Sequence, residues 1–149
     1  MQGVNIRLMS IADYEDIYDL WLRTPGMGLN TTDDSREGMA RYLQRNPNTC
    51  FVAEDADRIV GVILSGHDGR RGFIHHTAVD ITHRNRGIGR ALVDRALSAL
   101  EAEGIHKVAL VAFRRNEVGN AFWEKLGFTT REDLVYRNRT LHEMERIDT

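Results

Sequence analysis

The sequence predicts a mixed α/β domain built around one β-sheet. Three observations carry this prediction. Residues 49–80 are rich in β-branched and aromatic residues, broken by short polar turns. A strand–helix–strand unit follows at 72–113, and such a unit is expected to form a right-handed parallel crossover. The chain has 149 residues, which argues for one compact domain.

The N-terminal third is predicted to contain one strand and two helices. Residues 5–9 form the strand, and 13–23 have apolar residues at helical spacing. A loop covers 24–33. Asp34, with an acidic residue three positions later, resembles a capping box that opens a second helix, which ends near Pro47.

Strands and helices alternate through the rest of the chain, separated by polar or glycine-containing turns. In order they are strands 49–54, 58–65 and 72–80, a helix 89–103, a strand 106–113, a helix 116–126 and a final strand 134–139. The turn before the third of these strands has the sequence HDGRRG (67–72).

Composition excludes several classes of protein. Residues of the AVILMFWYC set make up 42% and charged residues 28%, the balance of a globular protein. The formal net charge of −2 gives no reason to bind nucleic acid or an anionic membrane, and no apolar run is long enough to cross a bilayer. Cys50 is the single cysteine, so neither an internal disulfide nor a metal site is expected. The first residues lack the apolar core of a signal peptide, which favours a cytoplasmic protein.

Residues 79–92 have the pattern of a strand, a tight turn and a helix start. Unpaired N–H groups and the dipole at a helix N-terminus attract anions, and Gly87 and Gly89 would let a phosphate approach that backbone. Three arginines add charge there: Arg84, Arg86 and Arg90. A diphosphate fits such a site, although the glycines are equally compatible with a plain tight turn. Leu92 in place of a third glycine excludes a dinucleotide fingerprint, and no P-loop lysine is present.

Two motifs in the second half of the chain resemble those of one superfamily. RNRGIG (84–89) is similar to the R/Q-x-x-G-x-G/A motif of the GCN5-related N-acetyltransferases, or GNAT proteins. NEVGNAFWEKLGF (116–128) resembles their second motif, N-x-x-A-x-x-F-Y-x-x-x-G-F. The order and separation of the two match, and the resemblance covers nearly the whole chain. The HDGRRG turn further resembles a group of small bacterial acetyltransferases.

The resemblance implies one N-acetyltransferase domain over 1–149 with a GNAT-like fold, α/β in the α+β sense. In that fold a single mixed sheet with flanking helices contains a splayed parallel strand pair that binds acetyl-CoA. The turn and helix start would bind the pyrophosphate, and the preceding strand end would pair with the pantetheine arm. Asn116 would hydrogen-bond near that arm, and a plain helix N-cap is its alternative role. The implied coenzyme-binding residues are Val79, Asp80, Ile81, Arg84, Arg86, Gly87, Ile88, Gly89, Arg90, Ala91, Asn116 and Trp123.

The implied reaction is direct transfer of the acetyl group to a primary amine of a small molecule or a protein. A base must take the amine proton, and His75 resembles a histidine that serves this purpose in arylalkylamine N-acetyltransferases. Strand alternation would place His75 and His76 on opposite faces. Glu54, on a neighbouring strand, is a further candidate base.

Trp123 occupies the position where GNAT proteins carry a tyrosine acid. An indole N–H is practically not an acid, so Trp123 is not expected to protonate the leaving thiolate. The thiolate would instead take a proton from Tyr136, Tyr42 or a water molecule, or it would depart without one. The candidate catalytic residues are thus His75, Tyr136 and Glu54. The same departure leaves open a catalytically weak module that binds or senses acyl-CoA. Acetyl-CoA and an amine are the expected partners, nucleic acid and membrane are not, and a homodimer through edge strands is one open oligomeric state.

Overall fold

The computed structural model describes residues 3–147, which form seven strands, four α-helices and two short 3₁₀ helices. In chain order the strands and α-helices are β1 (Val4–Leu8), α1 (Tyr14–Leu22), β2 (Leu29–Asn30), α2 (Arg36–Arg45), β3 (Phe51–Asp55), β4 (Arg58–His67), β5 (Gly72–Val79), α3 (Ile88–Ala102), β6 (Val108–Leu110), α4 (Glu117–Lys125) and β7 (Arg146–Ile147).

Five strands form the central sheet in the order β1-β3-β4-β5-β6. Every neighbouring pair is antiparallel except β5 and β6, which are parallel and joined through α3. β2 and β7 form a separate two-stranded sheet. The predicted mixed sheet with flanking helices is therefore confirmed, with this small additional sheet beside it.

β5 and β6 are paired over only three residues. The pairs are Gly72 with Val108, Phe73 with Ala109 and Ile74 with Leu110. Beyond Ile74 the two strands separate, which confirms the predicted splayed parallel pair. The backbone groups of β5 that point toward β6 consequently lose their ladder partners over the second half of the strand.

A β-bulge lies at the centre of β5. Ile63 of β4 pairs with Thr77, but Ser65 pairs with Ile74, so one residue of β4 faces two residues of β5. The two residues are the histidines 75–76. Because a bulge breaks the alternation of side chains along a strand, these adjacent residues need not point to opposite faces.

Helices cover both faces of the central sheet. The core on the α1 and α2 face includes Trp21, Leu20 and Met39, and the core on the α3 face includes Ile88 and Leu92. Every one of these side chains is essentially inaccessible to solvent, so burial of apolar surface fixes each helix against the sheet. Within the described residues, no helix is both long and apolar enough to span a bilayer.

Two predicted strands are wrong in extent. β6 covers three residues instead of 106–113, and 134–139 has no regular secondary structure. Both segments are rich in β-forming residues, but a strand requires a hydrogen-bonded neighbour along its length. β5 has already diverged from β6 at that point, and Leu134 and Val135 lie exposed.

Candidate active site

A groove of about 1070 Å³ opens where β5 and β6 diverge. Its walls are the loop 24–28, the second half of β5, the start of α3, the segment after β6, and α4. Small-molecule sites typically enclose roughly 300–1,000 Å³, so this groove has room for a long ligand.

The N-terminus of α3 faces the groove with unpaired backbone amides. The first helical hydrogen bond runs from the N–H of Ala91 to the carbonyl oxygen of Gly87, at 3.0 Å. The amides of residues 88–90 precede it and therefore have no acceptor inside the helix. Gly87 adopts φ +82°, and the space that a side chain would occupy there is open. This corner of the groove is consequently suited to an anion.

The structure places most of the predicted coenzyme-binding residues along this groove. Those that line it are Val79, Arg84, Gly87, Ile88, Gly89, Arg90, Asn116 and Trp123. Asn85 and Phe122 also line it and were not predicted from the sequence. Asn85 has φ +61°, a conformation that asparagine tolerates in tight turns.

The side chain of Asp80 does not line the groove, so only its main chain is left for the predicted pairing with the pantetheine arm. Its side chain is only 3% exposed and accepts hydrogen bonds from the Thr82 N–H at 3.0 Å and the Thr82 hydroxyl at 2.8 Å. Arg23, at the end of α1, reaches the other carboxylate oxygen at 2.9 Å. The Thr82 amide, followed by Arg23, holds the pKa of Asp80 well below its ordinary value. Asp80 therefore supports the turn after β5 and joins it to α1.

Ile81, Arg86 and Ala91 also lie outside the groove lining. The side chain of Ile81 is 77% exposed on the outer surface of the turn. The amide of Ala91 already donates the first bond of α3, so it is unavailable to a ligand.

Asn116 caps α4. Its side-chain oxygen accepts the N–H of Gly119 at 2.9 Å, which establishes the capping role. Its amide nitrogen lies 3.0 Å from the position that a Cβ on Gly26 would occupy, so Asn116 also packs against the loop 24–28. A side chain at Gly26 would displace this contact.

Trp123 forms part of the groove wall together with its aromatic neighbours. Its ring packs edge-on against Phe122 and Phe128, with centroids 5.0 and 5.3 Å apart. Tyr136 also lines the groove and is 69% exposed. Tyr42 does not line it, and its buried hydroxyl has no hydrogen-bond partner among the described residues. Burial raises the pKa of Tyr42, so it is a poor acid for a group in the groove.

The bulge places both histidines of β5 on the face covered by α1 and α2, which corrects the expectation of opposite faces. His75 packs against Phe73 and Tyr42, with ring centroids 4.7 and 5.6 Å away. Desolvation by these surroundings, followed by the neighbouring His76, lowers the pKa of His75. Both histidines line the groove.

His76 is hydrogen-bonded to a buried carboxylate. Its Nε2 lies 2.8 Å from Oδ1 of Asp34, and its ring packs edge-on against Trp21 at 5.0 Å. Asp34 is 4% exposed, and its second oxygen accepts the N–H of Asn30 at 2.9 Å. Because the carboxylate only accepts, it favours the tautomer with the proton on Nε2, which leaves Nδ1 with a free lone pair.

Asp34 was predicted to cap α2, and this prediction is wrong. Ser35 is the cap, and its hydroxyl accepts the N–H of Gly38 at 3.0 Å. The pairing of Asp34 with His76 spans 42 residues of sequence, and no spacing rule points to it.

Glu54 does not reach the groove. Its carboxylate pairs with Arg7 at 2.8 Å, and Arg7 also pairs with Asp13 at 2.8 Å. Glu54 is thus engaged in a salt-bridge network near the β1 edge of the sheet, which removes it as a candidate base. Within residues 3–147, no three His, Cys, Asp or Glu side chains come together as metal ligands.

The sequence matches the Acetyltransferase (GNAT) family over residues 14–128. The chain belongs to this family. Among its GNAT relatives, an acetyltransferase of Sodalis glossinidius is 31% identical over 94% of this chain and 97% of its own length. An acetyltransferase of Photorhabdus laumondii is 31% identical over 95% of this chain and 99% of its own.

Solved GNAT structures share the fold. The PaiA N-acetyltransferase of Thermoplasma acidophilum, solved with coenzyme A, has a TM-score of 0.74 at 17% identity, covering 87% of this chain and 92% of that one. An aminoglycoside acetyltransferase from an uncultured soil metagenomic sample, solved with sisomicin, has a TM-score of 0.71 at 20% identity, with coverages of 94% and 97%.

Membership in the GNAT family makes this protein an acetyl-CoA-dependent N-acetyltransferase, with acetyl-CoA as its co-substrate. The groove fits that molecule. Unpaired amides at the start of α3 and the open space above Gly87 suit a pyrophosphate. Arg84 and Arg90 line the same corner and supply positive charge.

Proposed function

We propose that this protein, acting as one domain, transfers the acetyl group of acetyl-CoA directly to a primary amine bound beside β5. The observation that carries the proposal is His76, which lines the same groove as the N-terminus of α3 and is hydrogen-bonded from behind to the buried Asp34. An anion site and a proton acceptor at two parts of one groove are what a direct transfer requires.

The coenzyme is proposed to lie along the diverging strands. The amides of 88–90, with Arg84 and Arg90, would hold its pyrophosphate. The pantetheine arm would pair with the backbone groups of β5 that β6 no longer reaches. A backbone N–H near Val79 in that row would stabilise the oxyanion that forms on the thioester carbonyl.

We assign the proton transfer from the amine to His76. Nδ1 carries the lone pair that accepts the proton, and Asp34 stabilises the imidazolium that results. Among residues 3–147 no carboxylate is hydrogen-bonded to His75, and desolvation, followed by the neighbouring His76, lowers the pKa of His75. Tyr136 is the proposed acid for the departing thiolate, because it is the tyrosine that lines the groove.

Calorimetric titration with acetyl-CoA tests the proposal at its first step. We expect saturable binding, weakened roughly tenfold in Arg90→Gln because a charge-assisted hydrogen bond to a phosphate is lost. Arg41→Gln, on the exposed surface of α2, should bind as the unchanged protein does. Absence of saturable binding at millimolar acetyl-CoA would overturn the proposal.

Trp123 supports one alternative, a catalytically weak module that binds or senses acyl-CoA. A panel of primary amines assayed for acetylation separates the two functions. Turnover by the unchanged protein favours the enzyme. Binding without turnover, together with a gain of turnover in Trp123→Tyr, would favour the module.

We further infer a cytoplasmic location with no nucleic-acid partner, and a homodimer stays one open oligomeric state. The formal net charge of −2 supports the last point, since binding to a polyanion would require a basic surface.

A further inference from the structure

A second cavity, of about 470 Å³, adjoins the groove. The two share Phe73 and His75, so the second cavity begins beside the proposed base His76 and extends toward the start of β5. The HDGRRG turn (67–72), the start of β6 and the C-terminal segment complete its walls. This turn has no role in coenzyme binding as described above.

Hydrogen bonds within the HDGRRG turn fix its shape. Oδ1 of Asp68 accepts the N–H groups of both Arg70 and Arg71 at 2.8 Å. Nδ1 of His67 accepts the N–H of Gly69 at 2.9 Å, and Nε2 of the same ring contacts Glu103 at 2.7 Å. The turn is therefore organised without a ligand, and Arg71 is the cation among the four of its residues that line the cavity, which are His67, Asp68, Arg71 and Gly72.

The lining of the second cavity carries surplus positive charge. Arg71, Lys107 and Arg131 line it, against the single carboxylate of Asp68, which the turn amides already hold. Arg131 pairs with Asp133 at 2.8 Å. Among residues 3–147, neither Arg71 nor Lys107 has a carboxylate within 4.0 Å, so no ion pair holds either cation. The guanidinium of Arg71 donates one hydrogen bond, to the carbonyl oxygen of Arg70 at 3.5 Å.

Apolar side chains lie between these cations and the reaction centre. Phe73, Ala109 and Leu134 form this part of the wall. Strand residues rise about 3.3 Å each, so the Cα atoms of Arg71 and His75 are about 13 Å apart along β5. A ligand with an amine at one end and an anion at the other, joined by an apolar portion, matches this arrangement.

We infer that the second cavity binds the acceptor, and that the acceptor is a primary amine carrying a carboxylate or phosphate group recognised by Arg71 and Lys107. The inference rests on the proposed function, because the amine must reach the edge that the cavity shares with the groove. The inference explains why the HDGRRG turn is rigid. Because the loop is already ordered, binding the acceptor does not cost the conformational entropy of ordering the backbone that carries Arg71.

Steady-state kinetics with matched acceptors test the inference. The probes are ω-amino carboxylates of increasing chain length, the corresponding carboxamides, and ω-aminoalkyl phosphates. The anionic members should have a KM lower than the carboxamides by about tenfold or more, the value of one charge-assisted hydrogen bond. Comparison of the carboxylate and phosphate series shows which anion is preferred.

Variants locate the preference in the cavity. Arg71→Gln and Lys107→Gln should each abolish most of it while leaving the KM for acetyl-CoA unchanged, and Arg71→Lys should retain part of it. Arg70→Gln is the matched control, because Arg70 belongs to the same turn but does not line the cavity. The melting temperature of every variant is compared with that of the unchanged protein, so that loss of folding is recognised.

The outcomes separate this inference from the proposed function. Acetylation of carboxylates and carboxamides with equal KM, or equal effects of Arg71→Gln and Arg70→Gln, would overturn the inference and leave the acetyltransferase standing. Failure to bind acetyl-CoA would overturn the proposed function itself. If no probe is acetylated, calorimetric titration measures whether the carboxylates bind to the complex of the protein with coenzyme A. Binding that depends on Arg71 then supports the inference, and no such binding contradicts it.

Discussion

His75 and His76 are adjacent in sequence but have different chemical surroundings. His76 is hydrogen-bonded to Asp34, a carboxylate with an exposed fraction of 4%, whereas His75 is solvent-exposed and contacts the rings of Phe73 and Tyr42. Asp34 lies within hydrogen-bond distance of His76 and can balance the charge that its ring gains on taking a proton. A base must become charged when it takes a proton, which favours His76 for that role.

Substitution of His76 should therefore lower turnover far more than substitution of His75. We expect His76→Gln to lower kcat by roughly 10²–10⁴-fold at pH 7, the range for loss of a general base. Asp34→Asn should give a smaller loss, because the imidazole keeps its lone pair but loses the charge that stabilises its protonated form. The measurement is kcat against pH with a fixed amine.

The pH profile distinguishes proton transfer from a structural role. At pH 9 more of the amine is already deprotonated, so His76→Gln should regain part of its activity relative to the unchanged protein. His75→Gln is the matched control and should show a small, pH-independent change. Equal losses at pH 7 and pH 9 in His76→Gln would count against the assignment.

At the scale of elements, the salt bridge between Arg23 and Asp80 joins the end of α1 to the turn after β5. The loop 24–28 and the turn that precedes α3 both border the groove, so this contact sets the spacing of its two walls. Asp80 is buried and accepts three hydrogen bonds, which holds its pKa below the ordinary value.

Asp80→Asn should destabilise the fold in a pH-dependent manner. A carboxyl group with a lowered pKa contributes stability above its ordinary pKa, near 3.8, and that contribution is lost as the pH falls toward the folded-state pKa. We expect a loss of about 1 kcal/mol at pH 7, typical of a disrupted cap, and a smaller difference at pH 3. Urea denaturation at both values measures it.

Asp94→Asn provides the comparison for this experiment, since Asp94 lies exposed on α3. The free energy of unfolding of Asp94→Asn should differ little from that of the unchanged protein at either pH. A constant difference between Asp80→Asn and the unchanged protein from pH 7 to pH 3 would show that the charge of Asp80 contributes nothing.

At the scale of the whole molecule, the groove is assembled from both halves of the chain. The loop 24–28, which borders the groove, lies early in the sequence. The other bordering elements, β5, α3 and α4, lie after residue 71. The two cores on opposite faces of the sheet hold these parts together. A ligand in the groove binds the folded state and not the separated segments, so it should stabilise the whole fold.

Acetyl-CoA at about one hundred times its Kd should add about 2.7 kcal/mol of stability and raise Tm by roughly 5–10 °C. Differential scanning calorimetry measures the shift. Arg90→Gln should require a higher acetyl-CoA concentration for the same rise. No rise in Tm at saturating acetyl-CoA would contradict binding in the groove.

The sequence predicted the parts of the fold and the site that depend on local interactions. The positions of α1, α2, α3 and α4 follow from helical spacing, and the turn with Gly87 and Gly89 at the start of α3 follows from the chemistry of helix N-termini. Those groups lie within a few residues of one another. Their geometry is therefore determined almost entirely by the local backbone.

The tertiary structure decided what depends on distant contacts. The bulge in β5 arises from its register with β4, and it turns His76 toward Asp34, a residue 42 positions away. The second cavity likewise unites a turn at 67–72 with Lys107, the residue before β6. Hydrogen-bond register and packing set these pairings, and neither is encoded in the spacing of residues along the chain. The sequence by itself determined the family and the glycine turn that opens α3, while long-range packing decided which side chains line the groove and the second cavity.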